Sequence, residues 1–192
     1  TKAACGLSFF VVGDDFMGSF LKISKSSATD EWYTPKCLVE TIVPYLTRFQ
    51  KVWCPFDRKE SNFVKVLKEH GFEVIRSHLS DGKDFFTFEP EAYDVIVSNP
   101  PFSMRDKILT RLFSLGKPFA VVGNSVGAFD GKMRHRLFKE HGVELLVPSA
   151  RTRFFSDYGR PEESQCRPPF QSWFFCHRVL PEKIVFCNMG DG

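Results

Sequence analysis

The stretch YDVIVSNPPF, residues 93–102, decides the fold. Its apolar, β-branched part, residues 94–97, predicts a short strand inside a parallel sheet that is covered on both faces. The strand must end at Asn99, because proline has no N–H to donate to a ladder and keeps the residue before it out of the helical region. Ligands of open α/β sheets bind at the carboxyl ends of the strands. The sequence therefore predicts a ligand site at this turn.

This turn offers two hydrogen-bond acceptors in a restricted geometry. The side-chain carbonyl of Asn99 and the backbone carbonyl of Pro100 are suited to accept both hydrogens of one planar amino group, which increases the electron density on its nitrogen. Phe102 is placed to stack on the ring that carries the group. Such a site makes an aryl or amide NH2 nucleophilic without a strong base. The alternative interpretation is that the prolines only end a buried strand.

Two motifs resemble those of a known family. The tetrapeptide Asn99-Pro100-Pro101-Phe102 resembles the (D/N/S)-P-P-(Y/F/W) signature of amino-group methyltransferases that use S-adenosylmethionine. The sequence DEWYTP at residues 30–35, about 65 residues earlier, resembles the amino-terminal motif of phage-type DNA N6-adenine methyltransferases, the Dam-like group. The resemblance covers residues 30–186 and implies that the tetrapeptide is the catalytic corner.

The resemblance also implies the fold. We expect a Rossmann-like α/β sandwich of the S-adenosylmethionine-dependent methyltransferase type, with about seven strands, mostly parallel and one reversed. Sequence patterns predict strands over residues 51–57, 72–77, 94–97, 119–122, 143–147 and 170–178, and helices from residue 35 and over 60–70, 106–115 and 133–141. The last strand, paired near Val143, predicts a reversed hairpin at the sheet edge, and residues 179–186 predict a capping segment.

The first motif is expected to contact the cofactor, S-adenosyl-L-methionine. Thr34 fits a helix N-cap and Pro35 the first helical position. Thr34 and the free amides of this helix end are then placed to meet the methionine carboxylate. Trp32 and Tyr33 either wall the cofactor pocket or form an apolar lid over the sheet.

The loop after the first strand departs from the family pattern. Most methyltransferases have a glycine-rich loop under the cofactor here, whereas this chain has Pro55, Phe56 and Asp57. Asp57 either reaches the methionine amino group or interacts with the dipole of the next helix. This departure also motivates a hypothesis of another class, a non-catalytic nucleic-acid-binding module that has lost cofactor affinity.

Two further pairs are candidates for cofactor binding. Ser77 and His78 end the second predicted strand, where the family usually has an acid for the ribose hydroxyls, and both can hydrogen-bond a hydroxyl. In the resemblance, an Asp followed by an aromatic residue binds the cofactor adenine. Asp84 and Phe85 fit this role best, with the carboxylate accepting from the amino group and the ring packing on the base.

A long loop at residues 156–169 is the candidate for contacting a large substrate, because such loops in compact domains are usually functional. Arg153, Arg160 and Arg167 suit a phosphate backbone, and Tyr158 is placed to stack on a base. The basic cluster at residues 132–136 either contacts phosphates or is a solvated helix face.

Nucleic acid is the expected partner, and DNA is preferred over RNA. If the substrate is a duplex, the adenine must leave the stack to reach the corner. A protein glutamine is the other substrate considered, but enzymes that methylate it typically have Tyr where this chain has Phe102.

Composition sets the remaining expectations. The chain has 192 residues, of which 43% are hydrophobic and 26% charged, which is typical of one globular domain. We expect an N-terminal arm of uncertain structure at residues 1–29 and a catalytic domain at 30–192. The net charge of +3 permits a nucleic-acid partner without requiring one. Six cysteines lack any C-x-x-C pair, so no metal site or disulfide framework is predicted, and we expect a cytoplasmic protein.

Overall fold

The structure is a computed structural model that describes residues 32–166 and 168–190. The predicted arm at residues 1–29 lies outside the described residues, as do Asp30, Glu31 and Arg167. The strands are β1 (Lys51–Cys54), β2 (Glu73–Arg76), β3 (Val95–Ser98), β4 (Phe119–Asn124), β5 (Glu144–Pro148), β6 (Phe154–Phe155), β7 (Gln165–Cys166), β8 (Ser172–His177) and β9 (Ile184–Cys187). The helices are α1 (Lys36–Ile42), α2 (Asn62–Glu69), α3 (Arg105–Ser114) and α4 (Lys132–His141).

Seven of these strands form one sheet in the order β2-β1-β3-β4-β8-β5-β9, and β6 pairs with β7 separately. Within the sheet, β8 is antiparallel to β4 and to β5, whereas every other neighbouring pair is parallel. The predicted fold class, a Rossmann-like α/β sandwich with a seven-stranded, mostly parallel sheet and one reversed strand, is therefore confirmed.

The reversed strand does not lie where the sequence predicted. β8 pairs on both sides, so it lies inside the sheet and not at its edge. The edge is β9, which forms within the predicted capping segment and pairs with β5 from Leu145↔Ile184 onward. The turn before β9 is held by the Glu144 carboxylate, which accepts hydrogen bonds from the backbone amides of residues 178–180. That contact joins residues more than 30 positions apart, which explains why the local pattern did not predict it.

The two faces of the sheet bury separate cores, because successive strand residues point to opposite faces. Helices α1 and α2 cover one face with Leu38, Ile42 and Leu67. Helices α3 and α4 cover the other with Leu112 and Leu137. Among the described residues, no helix has the length and apolar character needed to cross a membrane.

Strand β3 is the centre of this arrangement. All four of its residues are buried, as the apolar pattern predicted. Its start is aligned with β1 because the Asp94 carboxylate accepts hydrogen bonds from the backbone N–H groups of Lys51 and Gln50, at 2.8 and 2.9 Å. These bonds hold the pKa of Asp94 below its ordinary value. The alignment brings Asn99 to the same sheet edge as the loop that follows β1.

Candidate functional site

A cavity of about 500 Å3 lies at this edge, formed by the segments that follow β1, β2 and β3. This volume is within the range of small-molecule sites, about 300–1,000 Å3. The predicted residues that line it are Trp32, Tyr33, Thr34, Pro55, Phe56, Asp57, His78, Asp84, Phe85, Asn99, Pro101 and Tyr158. The sequence did not predict the other lining residues, which are Arg58, Ser61, Leu79, Ser80, Phe86 and Met104. Residues up to 126 positions apart in the chain thus meet at one cavity.

Asn99 has a fixed orientation. Its Nδ2 donates a hydrogen bond to the backbone carbonyl of Trp32 at 2.9 Å, which joins the two sequence motifs directly. Its Oδ1 is buried and accepts no hydrogen bond within the part of the chain that the structure describes. A buried polar atom without a partner costs about 1–3 kcal/mol. The hydroxyls of Thr34, Thr152 and Ser172 share this state among the described residues. The acceptor that the sequence assigned to a substrate amine therefore makes no competing hydrogen bond inside the described part of the chain.

Thr34 is placed differently from the prediction. The N-cap of α1 is Pro35, without a side-chain capping bond, and the helix begins at Lys36. Thr34 is only 3% exposed, and its hydroxyl lacks a hydrogen-bond partner among the described residues. Its carbonyl accepts from Asn62 Nδ2 at 2.8 Å, which holds this residue at the cavity wall. The predicted N-cap was wrong because this long-range bond, which is absent from the local pattern, orients the turn. Pro35 does not line the cavity.

The glycine-free loop after β1 is held by a buried hydrogen-bond network. The hydroxyls of Ser61 and Ser98 both donate to the Asp57 carboxylate, and Ser98 Oγ accepts from the backbone N–H of Phe56 at 3.2 Å. Ser61 Oγ also caps α2 by accepting from Phe63 N. Burial raises the pKa of Asp57 to about 6, although the two serine hydrogen bonds oppose this shift. The loop is thus positioned by side chains where related folds use glycine.

Ser77 and His78, which follow β2, lie in different environments. Ser77 is fully buried, accepts a hydrogen bond from Trp53 Nε1 at 2.9 Å, and does not line the cavity. His78 lines the cavity, and its Nδ1 accepts from the backbone N–H of Ser80 at 3.1 Å. The side chain of Ser77 therefore supports the core, whereas His78 stays on the wall.

Asp84 and Phe85 lie together on the cavity wall. Asp84 Oδ1 accepts from the backbone N–H of Phe86 at 2.9 Å, which fixes the carboxylate. Phe85 is 3% exposed and packs with Phe56, with ring centroids 4.7 Å apart. An oriented carboxylate beside an apolar aromatic wall is suited to a flat heteroaromatic ring with an amino group.

Tyr158 lies on the cavity and not on a separate substrate surface. Its ring packs on Tyr33 with centroids 4.1 Å apart, and its hydroxyl accepts from Asn62 N at 3.3 Å. Burial raises the pKa of the Tyr158 hydroxyl. The main chain supports this pairing, because Tyr33 and Phe155 exchange backbone hydrogen bonds. The long loop therefore contributes to the cavity wall.

The predicted arginines of this loop do not line the cavity. Arg160 is 71% exposed at its side chain and forms ion pairs with Asp157 and Glu163 in the same loop. Arg153 is exposed, and Arg167 lies outside the described residues.

The corner formed by Asn99, Pro100, Pro101 and Phe102 has a second side. Phe102 begins a short 3-10 helix, Phe102–Met104, and its ring contacts Phe170 with centroids 6.1 Å apart. Phe102 lines an open groove of about 520 Å3, together with Ser103, Met104, Arg105, Asp106, Lys107, Val126, Gly127 and Arg134. Pro100 is buried and lines neither this groove nor the cavity. Met104 lines both spaces, which therefore meet at the corner.

The described part of the chain contains neither a cluster of metal-ligating side chains nor a disulfide. Among the described residues, no three His, Cys, Asp or Glu side chains are grouped so that they could hold a metal ion. The cysteines of the described part, at positions 37, 54, 166, 176 and 187, are all free thiols.

Comparison with known proteins gives distant structural likenesses only. No family model matches the chain, and no curated protein matches it. The type I restriction-modification methyltransferase subunit from Streptococcus thermophilus is 12% identical, with a TM-score of 0.46 over 82% of this chain and 47% of that one. A protein from Thermoplasma acidophilum described as a candidate methyltransferase is 13% identical, with a TM-score of 0.40 over 81% of this chain and 68% of that one. The chain thus spans about half the length of the Streptococcus subunit, and likenesses this distant support no inference about its activity.

Proposed function

We propose that this protein transfers a methyl group from S-adenosyl-L-methionine to the exocyclic N6 amine of adenine in nucleic acid, with DNA preferred. The observation that carries the proposal is the orientation of Asn99. Its Nδ2 is occupied by the Trp32 carbonyl, its buried Oδ1 has no partner among the described residues, and the residue lines the cavity. An amide held in this way is suited to accept a hydrogen from a substrate amine.

The cavity has the donor set that the cofactor needs. Asp84 and Phe85 would hold the adenine, and the unpartnered hydroxyl of Thr34 would meet a polar group of the methionine part. Asp57, which lines the same cavity, would attract the methionine ammonium. When bound, S-adenosyl-L-methionine supplies an electrophilic methyl group, whose bond to sulfur breaks with the electron pair leaving on the thioether as the amine nitrogen bonds the carbon.

The corner residues prepare the amine. Asn99 Oδ1 would accept one N–H of the amine, which would hold the amine and increase its nucleophilicity. The nitrogen gains a positive charge on forming the new bond and then loses one proton to water. Phe102, on the groove side, would stack on the base. Positioning of two reactants in this way is the main contribution expected from the protein.

One observation favours a second function. The loop after β1 contains no glycine and is held by the buried Asp57, so a non-catalytic nucleic-acid-binding module remains a candidate. Titration calorimetry with S-adenosyl-L-methionine separates the two functions. Absence of binding to the folded protein at millimolar cofactor would favour the module, whereas binding supports the enzyme.

The decisive experiment is transfer of a tritiated methyl group to DNA, RNA and protein pools, followed by nucleoside and amino-acid analysis. We expect the label in N6-methyladenine of DNA. Asn99→Ala should lower the rate at least about 100-fold, which is the usual effect of removing one preorganised polar group from a reacting centre. Asn188→Ala, a matched change at an exposed residue, should leave the rate unchanged. If the label appears in RNA adenine or on glutamine, that group is the substrate and the proposed one is wrong. An active Asn99→Ala variant would refute the role of the corner.

A further inference from the structure

The groove beside the corner is basic. Its lining contains the basic residues Arg105, Lys107 and Arg134 and one acid, Asp106, whereas the whole chain has a net charge of only +3. Lys107 is exposed, so its charge is available to a partner. Concentrated positive charge of this kind favours a polyanion.

The same groove also exposes apolar side chains. Two of the large apolar residues that are exposed in the described part of the chain, Met104 and Val126, line it, and they are 37% and 51% exposed. A duplex presents mainly phosphates and base edges, whereas a single strand also offers unstacked base faces that apolar and aromatic side chains can cover. The mixture of basic and apolar groups therefore fits an unpaired strand best.

The surface is preformed by two half-buried arginines. Arg134 donates to the carbonyls of Ala128 and Gly127 at 3.1 and 2.9 Å, and it pairs with Asp106 at the start of α3. Arg105 donates to Asn124 Oδ1 at the end of β4. These contacts fix residues 124–128 against α3, so the apolar side chains are held in place before any partner binds.

We propose that this groove binds single-stranded nucleic acid, with phosphates against Arg105 and Lys107 and unpaired bases against Met104 and Val126. The inference rests on the proposed function and assigns its substrate to the groove. The loop at residues 156–166 is a poorer candidate, because Tyr158 packs on Tyr33 at the cavity and Arg160 pairs within its own loop.

The test is binding of a fluorescein-labelled, adenine-containing single-stranded DNA of about 20 nucleotides, followed by fluorescence anisotropy without cofactor. Lys107→Glu should lower the affinity about threefold or more, and the plot of log affinity against log salt should be shallower by about 0.7. Lys132→Glu, which reverses an exposed lysine that does not line the groove, should have little effect. Val126→Ser should lower affinity about threefold without changing the salt slope, because it removes a base contact and no charge.

Three results would overturn the inference. They are tighter binding of the matched duplex, equal losses in the two charge-reversal variants, and an affinity that neither Lys107→Glu nor Val126→Ser changes. Calorimetry with S-adenosyl-L-methionine on the same proteins keeps the two proposals distinguishable. If the cofactor binds but the surface variants have no effect, only this inference fails. If the wild-type protein binds the oligonucleotide through this surface but never binds the cofactor, only the proposed enzymatic function fails.

Discussion

The cavity and the groove on either side of the corner at residues 99–102 differ in charge and in exposure. The charged residues that line the cavity are Asp57, Arg58 and Asp84, and its aromatic wall is formed by Trp32, Tyr33, Phe56, Phe85, Phe86 and Tyr158. The charged residues of the groove are Arg105, Asp106, Lys107 and Arg134, with one aromatic residue, Phe102. Acids and aromatic faces suit a small molecule with cationic centres, whereas basic groups suit a polyanion.

The two sides also differ in what holds them in shape. The cavity loop is held by carboxylate and hydroxyl groups around Asp57, which is buried. The groove loop is held by guanidinium groups, of which Arg134 is the central one. This difference shows that each side can be perturbed without the other, and the following predictions use that independence.

The largest effect is expected on the groove side. Arg134→Met should lower the free energy of unfolding by about 2–3 kcal/mol, because Asp106 and two backbone carbonyls lose their donor. Arg136→Met, an exposed neighbour on the same helix, should change it by less than about 0.5 kcal/mol. Urea unfolding measures both, and equal losses would show that Arg134 does not hold the groove loop. Cofactor affinity of folded Arg134→Met should match the wild type.

A smaller effect, dependent on pH, is expected on the cavity side. The folded-state pKa of Asp57 is about 6, above its ordinary 3.8, so the folded protein binds this proton more tightly than the unfolded chain does. The contribution of Asp57 to the free energy of unfolding is therefore fully present at low pH and is lost as the pH rises through about 6. When the pH falls from 7 to 5, the free energy of unfolding of the wild type should rise by about 1 kcal/mol relative to that of Asp57→Asn. Urea unfolding at both pH values tests this, and a change of opposite sign would contradict the desolvation of Asp57.

The smallest expected effect tests whether the long loop at residues 156–169 contributes to the cavity or to the groove. Tyr158→Ala should weaken cofactor binding about threefold, because a ring pair of this kind contributes about 0.5–1.5 kcal/mol and only part of it acts on the ligand. Tyr158→Phe keeps the ring and should bind nearly as the wild type does. Oligonucleotide affinity should be unchanged in both variants. If oligonucleotide binding falls while cofactor binding stays constant, the loop contacts the substrate, as its sequence suggested.

Short-range patterns gave the most accurate predictions. The strand before the corner lies at residues 95–98, within one residue of the prediction, because β-branched residues and a following proline pair act locally. Asp84 and Phe85 line the cavity as the family motif implied. The proposed roles of these residues stay predictions, since placement alone does not test them.

Predictions that depended on distant partners were less accurate. Ser77 lies in the core because Trp53, on a neighbouring strand, supplies its hydrogen bond. Tyr158 lies at the cavity because a backbone bridge joins Tyr33 to Phe155. The position of β8 inside the sheet depends on β9, whose alternating exposed and half-buried residues resemble a surface segment.

The amino-acid sequence by itself determined the fold class, the central strand and the proline-restricted turn, because steric limits on the backbone and apolar periodicity are local properties. The tertiary structure decided how the amide of that turn is oriented. The carbonyl of Trp32, 67 positions earlier, accepts from Asn99 Nδ2, so Oδ1 is the end of the amide that has no partner among the described residues. Likewise, the basic and apolar residues of the groove form one surface only after Arg134 joins two helices, because the contacts that assemble them join segments far apart in the chain.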